Sequence, residues 1–135
     1  MCLIEEVLHW DMNGVRCRST SHRLPDNPLR ADGRLGAACG IEYAAQAMAL
    51  HGALAGAHQA GPRGYLASVR DVRLFVPYLD DIASDLTVAA GLITSDPATA
   101  LYEFSLRAAD RLLVSGRATI VFDIGRAHAA PSPQA

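Results

Sequence analysis

The stretch from Leu35 to about His58 constrains this chain more than any other, because it holds no proline and is packed with Ala, Leu and Met. Unbroken and rich in strong helix formers, it predicts one long helix with an exit at Gly61-Pro62. Apolar and small side chains run nearly all the way round it, the pattern of a helix buried on most sides. Gly36, Gly40, Gly52 and Gly56 each cost roughly 1 kcal/mol relative to Ala in a helix interior. Close approach of a neighbouring backbone is the simplest compensation. The polar residues Glu42, Gln46, His51 and His58 argue against a membrane span.

One such helix must be covered, and the chain has 135 residues, about one domain's worth, with which to do it. Two catalytic domains do not fit. Half of the residues are hydrophobic and 19% are charged, a composition that buries a core. The net charge of -2 gives no global reason to bind nucleic acid or an acidic membrane. All 12 basic residues are Arg, which removes Lys-based Schiff-base and general-base chemistry. Cys2, Cys17 and Cys39 have neither disulfide-framework nor zinc-site spacing, so no metal is expected. No charged leader with an apolar stretch opens the sequence, and a cytoplasmic location is the expectation.

The flanking patterns supply the cover. Cys2 to Trp10 and Val15 to Thr20, joined at Asp11-Met12-Asn13-Gly14, predict a hairpin with Asn-Gly at its turn. Ser21 to Arg34, with two prolines, predicts a loop, and loops of that length tend to be functional. Beyond the helix, alternation of period two predicts four successive antiparallel strands: Leu66 to Val76, Ser84 to Thr94, Ala100 to Leu106 and Leu112 to Phe122. Residues 1–124 then form a single domain and 125–135 a flexible tail. A twisted sheet curling around one buried helix is the α+β hot-dog fold.

Glu42 is the most informative residue, an acid among Ala, Ile, Met and Leu in Gly40-Ile41-Glu42-Tyr43-Ala44-Ala45-Gln46. In such surroundings desolvation raises a carboxyl's pKa and lets it hold or accept a proton near neutrality. The alternatives are an acid in an exposed notch or one paired with an Arg. His22, in the preceding loop, can be folded back beside Glu42 as a general base, or stand in solvent without a role. Gln46, one turn on, faces the same way as Glu42 and serves either a bound group or packing. Backbone N–H groups from Gly33 to Gly36, at the expected helix start, are natural donors to a developing oxyanion. His51, on the opposite face, reads as a core or interface histidine, and His9, His58 and His128 receive no role.

Asn27-Pro28-Leu29-Arg30-Ala31-Asp32-Gly33-Arg34-Leu35, followed by Gly40-Ile41-Glu42-Tyr43-Ala44-Ala45-Gln46-Ala47-Met48-Ala49-Leu50-His51-Gly52, resembles the 3-hydroxyacyl-(acyl carrier protein) dehydratases of the aryl-polyene type. These are hot-dog proteins related to the beta-hydroxyacyl dehydratases of fatty acid biosynthesis. In the relatives a His of one subunit and an acid on the central helix of the other act together. The acid maps onto Glu42 and its following glutamine onto Gln46. The fatty-acid enzymes have His-Phe-Pro-Gly in the pre-helix loop where this chain has Gly33-Arg34-Leu35-Gly36, and His22 is the nearest substitute. Relatives usually begin further upstream, with a short His-containing segment.

The resemblance implies a dehydratase (a lyase) without a cofactor of its own, its substrate carried as a thioester on the phosphopantetheine of acyl carrier protein or of CoA. His22 is then the base, Glu42 the acid, and Gly33, Gly36 and Gln46 contact substrate. Arg23, Arg30, Arg34, Arg63, Arg70 and Arg73 are expected to gather near the tunnel mouth and meet an acidic carrier. The expected assembly is a homodimer, or a heterodimer with a related hot-dog subunit. A thioesterase and a non-catalytic subunit are the alternatives.

Overall fold

The computed structural model describes residues 2–56 and 64–122. Gly61-Pro62, His58, His128, Arg63 and the tail from 125 to 135 lie outside the described residues.

Strands β1 (Glu6–Asp11) and β2 (Gly14–Ser19) form the expected hairpin, with Asp11 opposite Gly14. Met12 and Asn13, rather than Asn13 and Gly14, occupy its centre. The Asp11 carboxylate accepts from the N–H groups of Asn13, 2.8 Å, and Gly14, 3.1 Å, and these bonds set the turn. Gly14 serves the sheet instead: a Cβ there would stand 2.5 Å from the Ala90 carbonyl oxygen of the next strand. β1 begins later than the sequence pattern implies, and Leu3 ahead of it is buried in the core.

Residues 20–36 loop across to the helix, opening with a 3-10 turn at Ser21–Arg23. The helix α1 runs Gly40–Gly56 behind a 3-10 turn at Ala37–Cys39, so it starts at Gly40 rather than Leu35. Gly36 is extended, φ -65 and ψ 151, and its flanks are bonded elsewhere. The Ala37 N–H donates to Pro77 O and the Leu79 N–H to Leu35 O.

The buried residues of α1 are Gly40, Tyr43, Ala44, Ala47, Met48 and His51, a single stripe at helical spacing. Glu42, Ala49, Gly52, Ala53 and Gly56 are exposed, so α1 is not enclosed on all sides within one chain. The sequence hides this because the uncovered face is built of Ala and Gly, giving little polarity contrast with the buried one. The compensation expected for the helix glycines is met at Gly40, by side chains: a Cβ would lie 3.1 Å from Leu106 Cδ2 and 3.2 Å from Val114 Cγ2. At Gly36 and Gly52 it would meet nothing within 4 Å.

The remaining strands are β3 (Gly64–Leu74), β4 (Leu86–Ser95), β5 (Thr99–Ala108) and β6 (Arg111–Phe122). The sheet order is β1-β2-β4-β5-β6-β3, every neighbouring pair antiparallel. β3 is therefore not the neighbour of β4 but pairs with β6 at the far edge. The link 75–85, with Val76 and Leu79 buried, carries the chain across three strand spacings, roughly 14 Å. Alternate residues Val88, Ala90, Tyr102, Phe104, Leu106 and Val114 pack beneath α1. The open sheet folded over one helix is the expected α+β hot-dog arrangement. Among the described residues no helix is long and apolar enough to cross a membrane.

Candidate active site

His22 is fully buried in the 3-10 turn that follows β2. Its Nε2 lies 2.9 Å from the carbonyl oxygen of Ile82. A carbonyl can only accept, so Nε2 carries the proton and Nδ1 is the unprotonated nitrogen. That Nδ1 is buried and has no hydrogen-bond partner among the described residues. Burial holds the imidazole below its ordinary pKa and Arg23 adds to the lowering, while the backbone of Ile82 and of Ser84 and the Asp85 carboxylate oppose it. The ring is neutral at neutral pH, its lone pair available as a base.

The turn bearing His22 is fastened on all sides. Ser21 Oγ donates to Leu3 O, 3.0 Å, and lies 2.8 Å from Tyr43 Oη of α1. Asn27 Nδ2 donates to Ser21 O, 3.0 Å, and to Tyr43 Oη, 3.1 Å. Arg30 donates to three carbonyls: Leu24, 2.9 Å, Gly33, 2.8 Å, and His22 itself, 3.3 Å. Sequence reasoning missed Ser21, Asn27, Tyr43 and the Ile82 carbonyl. The available signal was a tyrosine set among small helix residues and an Asn-Pro in a loop too polar to be buried without partners.

Glu42 stands in the first turn of α1, next to Tyr43 but on the uncovered face, exposed and without a bonding partner among the described residues. The expectation of a desolvated acid beside His22 does not hold within a single chain. The apolar neighbours that implied it, Ala45 and Ala49 among them, lie on or near that same open face. Gln46 Oε1 accepts from the Leu3 N–H at 2.7 Å, which ties down the N-terminal segment. Asp32 and Gly33, at φ 53 and 76, form the exposed tip of a tight turn between Ala31 and Arg34. Gly33 is thus remote in sequence from the helix start at Gly40, and its carbonyl is held by Arg30. Gly36 sits immediately ahead of the 3-10 turn and is half-buried.

Of the five arginines in this set that the structure describes, three are engaged by groups of the chain itself. Arg30 staples the loop, Arg23 donates to Ala83 O and Asp85, and Arg34 pairs with Asp80 and Asp81 while stacking 3.8 Å over the Tyr78 ring. The loop carbonyls and acids need donors, and these arginines meet that need. Arg70 and Arg73 are exposed on β3. His51 is a satisfied core histidine: Nδ1 accepts from Tyr102 Oη, 2.7 Å, and Nε2 donates to Asp11 O, 3.0 Å. A shallow depression of about 340 Å³ on the sheet's other face, lined by Asp71, Glu103, Ser105, Ser115 and Arg117, includes neither His22 nor Glu42.

In a comparison with known families, the model for the ApeP-like proteins, described as ApeP dehydratase, matches residues 1–126. This chain belongs to the ApeP-like dehydratase family. An ApeP-like chain of this kind is similar in structure to the dehydratase heterocomplex ApeI:P from Xenorhabdus doucetiae, with TM-score 0.76 and 24% identity over 97% of this chain and 90% of that one. It is also similar to a thioesterase from Haemophilus influenzae, TM-score 0.64 and 14% identity over 87% of this chain and 76% of that one. A hypothetical thioesterase with coenzyme A from Streptococcus pneumoniae has TM-score 0.64 and 12% identity, covering 87% of each chain. At these identities the structural likeness establishes the hot-dog fold alone. Comparison with curated proteins gives no match.

Proposed function

We propose that this ApeP-like chain dehydrates a 3-hydroxyacyl thioester, presented on the phosphopantetheine of acyl carrier protein or CoA, at a site shared with a second hot-dog subunit. His22 Nδ1 takes the proton alpha to the thioester carbonyl. The electron pair forms the new double bond as the beta carbon–oxygen bond breaks, and Glu42, protonated, donates to the departing hydroxyl, which leaves as water. The Gly36 N–H, ahead of the helix, stabilises the enolate oxygen. The Nδ1 lone pair of His22, buried yet unpartnered, carries this reading, because a histidine kept only for packing has both nitrogens satisfied, as His51 does.

Glu42 needs a partner subunit laid over the open face of α1 to leave water, and the exposed β3 edge offers a place for the two sheets to join. The ApeI:P relative is itself a heterocomplex, which supports a related but different subunit as that partner. It equally supports a second reading, in which this chain is the non-catalytic half. Mass spectrometry of a 3-hydroxyacyl carrier protein incubated with the chain, alone and with a candidate hot-dog partner, separates the cases. The 2-enoyl thioester is expected, and free acid would instead mark a thioesterase. His22→Asn and Glu42→Gln should each lower the rate about 100-fold or more. Unchanged rates for both, in a complex that is active, would assign the chain the non-catalytic part.

A further inference from the structure

Ser21, Asn27 and Tyr43 form a polar triad between the His22 loop and α1. All three are buried, with Tyr43 fully enclosed beneath α1. A phenylalanine would fill the same space and need no partners, yet the tyrosine hydroxyl is built into a polar chain with a definite direction. An amide nitrogen can only donate, so Asn27 Nδ2–H points to Tyr43 Oη, 3.1 Å, and to Ser21 O, 3.0 Å. The single Ser21 hydroxyl proton has its acceptors on the side away from α1, Leu3 O at 3.0 Å and the buried Ser19 Oγ at 2.9 Å. The Tyr43 proton must therefore go to Ser21 Oγ, 2.8 Å.

This chain of bonds ends on the peptide from which the His22 ring hangs. Ser21 O belongs to the peptide unit before His22 and is held by Asn27; the His22 carbonyl after it is held by Arg30, 3.3 Å, and the ring's Nε2 by Ile82 O, 2.9 Å. The one polar atom of the His22 side chain left without a hydrogen-bond partner among the described residues is Nδ1. Tyr43 also follows Glu42 directly in the first turn of α1, so one side chain locks the turn bearing the acid to the loop bearing the histidine.

From this arrangement we infer that Tyr43, acting through Ser21 and Asn27, is a positioning residue that fixes where His22 Nδ1 points. The inference rests on the reading of His22 as a base, and its test includes a measurement independent of turnover. In the full-length protein, 15N spectra of the His22 ring should show the single Nε2–H tautomer. In Tyr43→Phe, with the fold retained, that signal should broaden or split into a tautomer mixture. With the hot-dog partner present, Tyr43→Phe should lower kcat about 10- to 100-fold with KM within about twofold, the signature of a displaced reacting group. In a His22→Ala background it should cost nothing further, since the two residues act as one unit. Ser21→Ala removes the acceptor of the Tyr43 proton together with the Ser21 bonds to Leu3 O and Ser19 Oγ while leaving Tyr43 in place, and should reproduce the spectral change, which keeps the test available if Tyr43→Phe does not fold. Unaltered His22 signals in a folded variant, or an equal Tyr43→Phe loss with and without His22, would overturn the inference. A His22→Ala chain of full activity would instead sink the reading of His22 as base, and the spectra would still decide whether Tyr43 positions the ring.

Discussion

His22 and His51 show how differently two buried imidazoles are used. His51 has a partner on each nitrogen, whereas His22 has one among the described residues only on Nε2. Because burial lowers the pKa of His22, the acid limb of kcat/KM should fall below the ordinary imidazole value of 6.5. A pH-rate profile whose acid limb lies above that value would contradict the base assignment. The same shift enters folding. The folded chain binds the His22 proton less readily than the unfolded chain, so this stability is present above pH 6.5 and is lost as pH falls from there through the lowered pKa. Urea midpoints measured between pH 7 and 5 should decline in the wild type, and His22→Asn should flatten that part of the curve. Asp80 and Asp85, lowered by bonds to Leu35 and the arginines, contribute stability lost only below their ordinary value of 3.8. At this scale the types of the two groups proposed to react, a histidine and a carboxylic acid, were legible in the sequence. The roles of Arg30 and Arg34 were not, since an arginine bound to its own loop and one free to meet a carrier look alike until the carbonyls and acids around them are placed.

The elements were readable wherever the local signal and the tertiary environment agree. Alternation placed β5 and β6 within a residue or two, and their connection is a two-residue turn with Ala109 at φ 47 and Asp110 at φ 70. Positive φ at both positions is the mirror-image turn that Asn-Gly fills with least strain. Replacing Ala109 by Asn and Asp110 by Gly should therefore stabilise the chain by about 1 kcal/mol, read as a higher urea midpoint, and a lower midpoint would contradict the turn assignment. The Asn13-Gly14 pair misled for the opposite reason. Neither Met12 nor Asn13 has positive φ, and Gly14 is required by the nearness of the Ala90 carbonyl. The helix start was misplaced because Leu35 and Ala37, each a strong helix former, are drawn into extended pairing with Pro77 and Leu79. Propensity is a local quantity and yields to such long-range bonds.

At the scale of the whole molecule, the described residues leave open the Ala- and Gly-rich face of α1 bearing Glu42 and both edge strands, β1 with Leu8 and Trp10 exposed and β3 with Tyr65, Leu66 and Val69 exposed. An apolar edge strand invites pairing, so the protein should sediment as a dimer or larger at micromolar concentration, with itself or with a hot-dog partner. Val69→Asp should shift it toward monomer and abolish enoyl formation together, as expected of a site completed across the interface. A fully active monomer by analytical ultracentrifugation would remove that requirement. What the sequence determined by itself is the inventory and its periods: one breaker-free helix, strands of period two, a loop with a histidine, and an acid on the helix. Those features are local, fixed by propensity, spacing and side-chain chemistry. Tertiary structure alone decided that β3 lies at the far edge beside β6, that Glu42 faces outward while Tyr43 faces in, and that His22 keeps one nitrogen free. Each of these depends on groups far apart along the chain, whose meeting is set by how the sheet and helix bury their shared core.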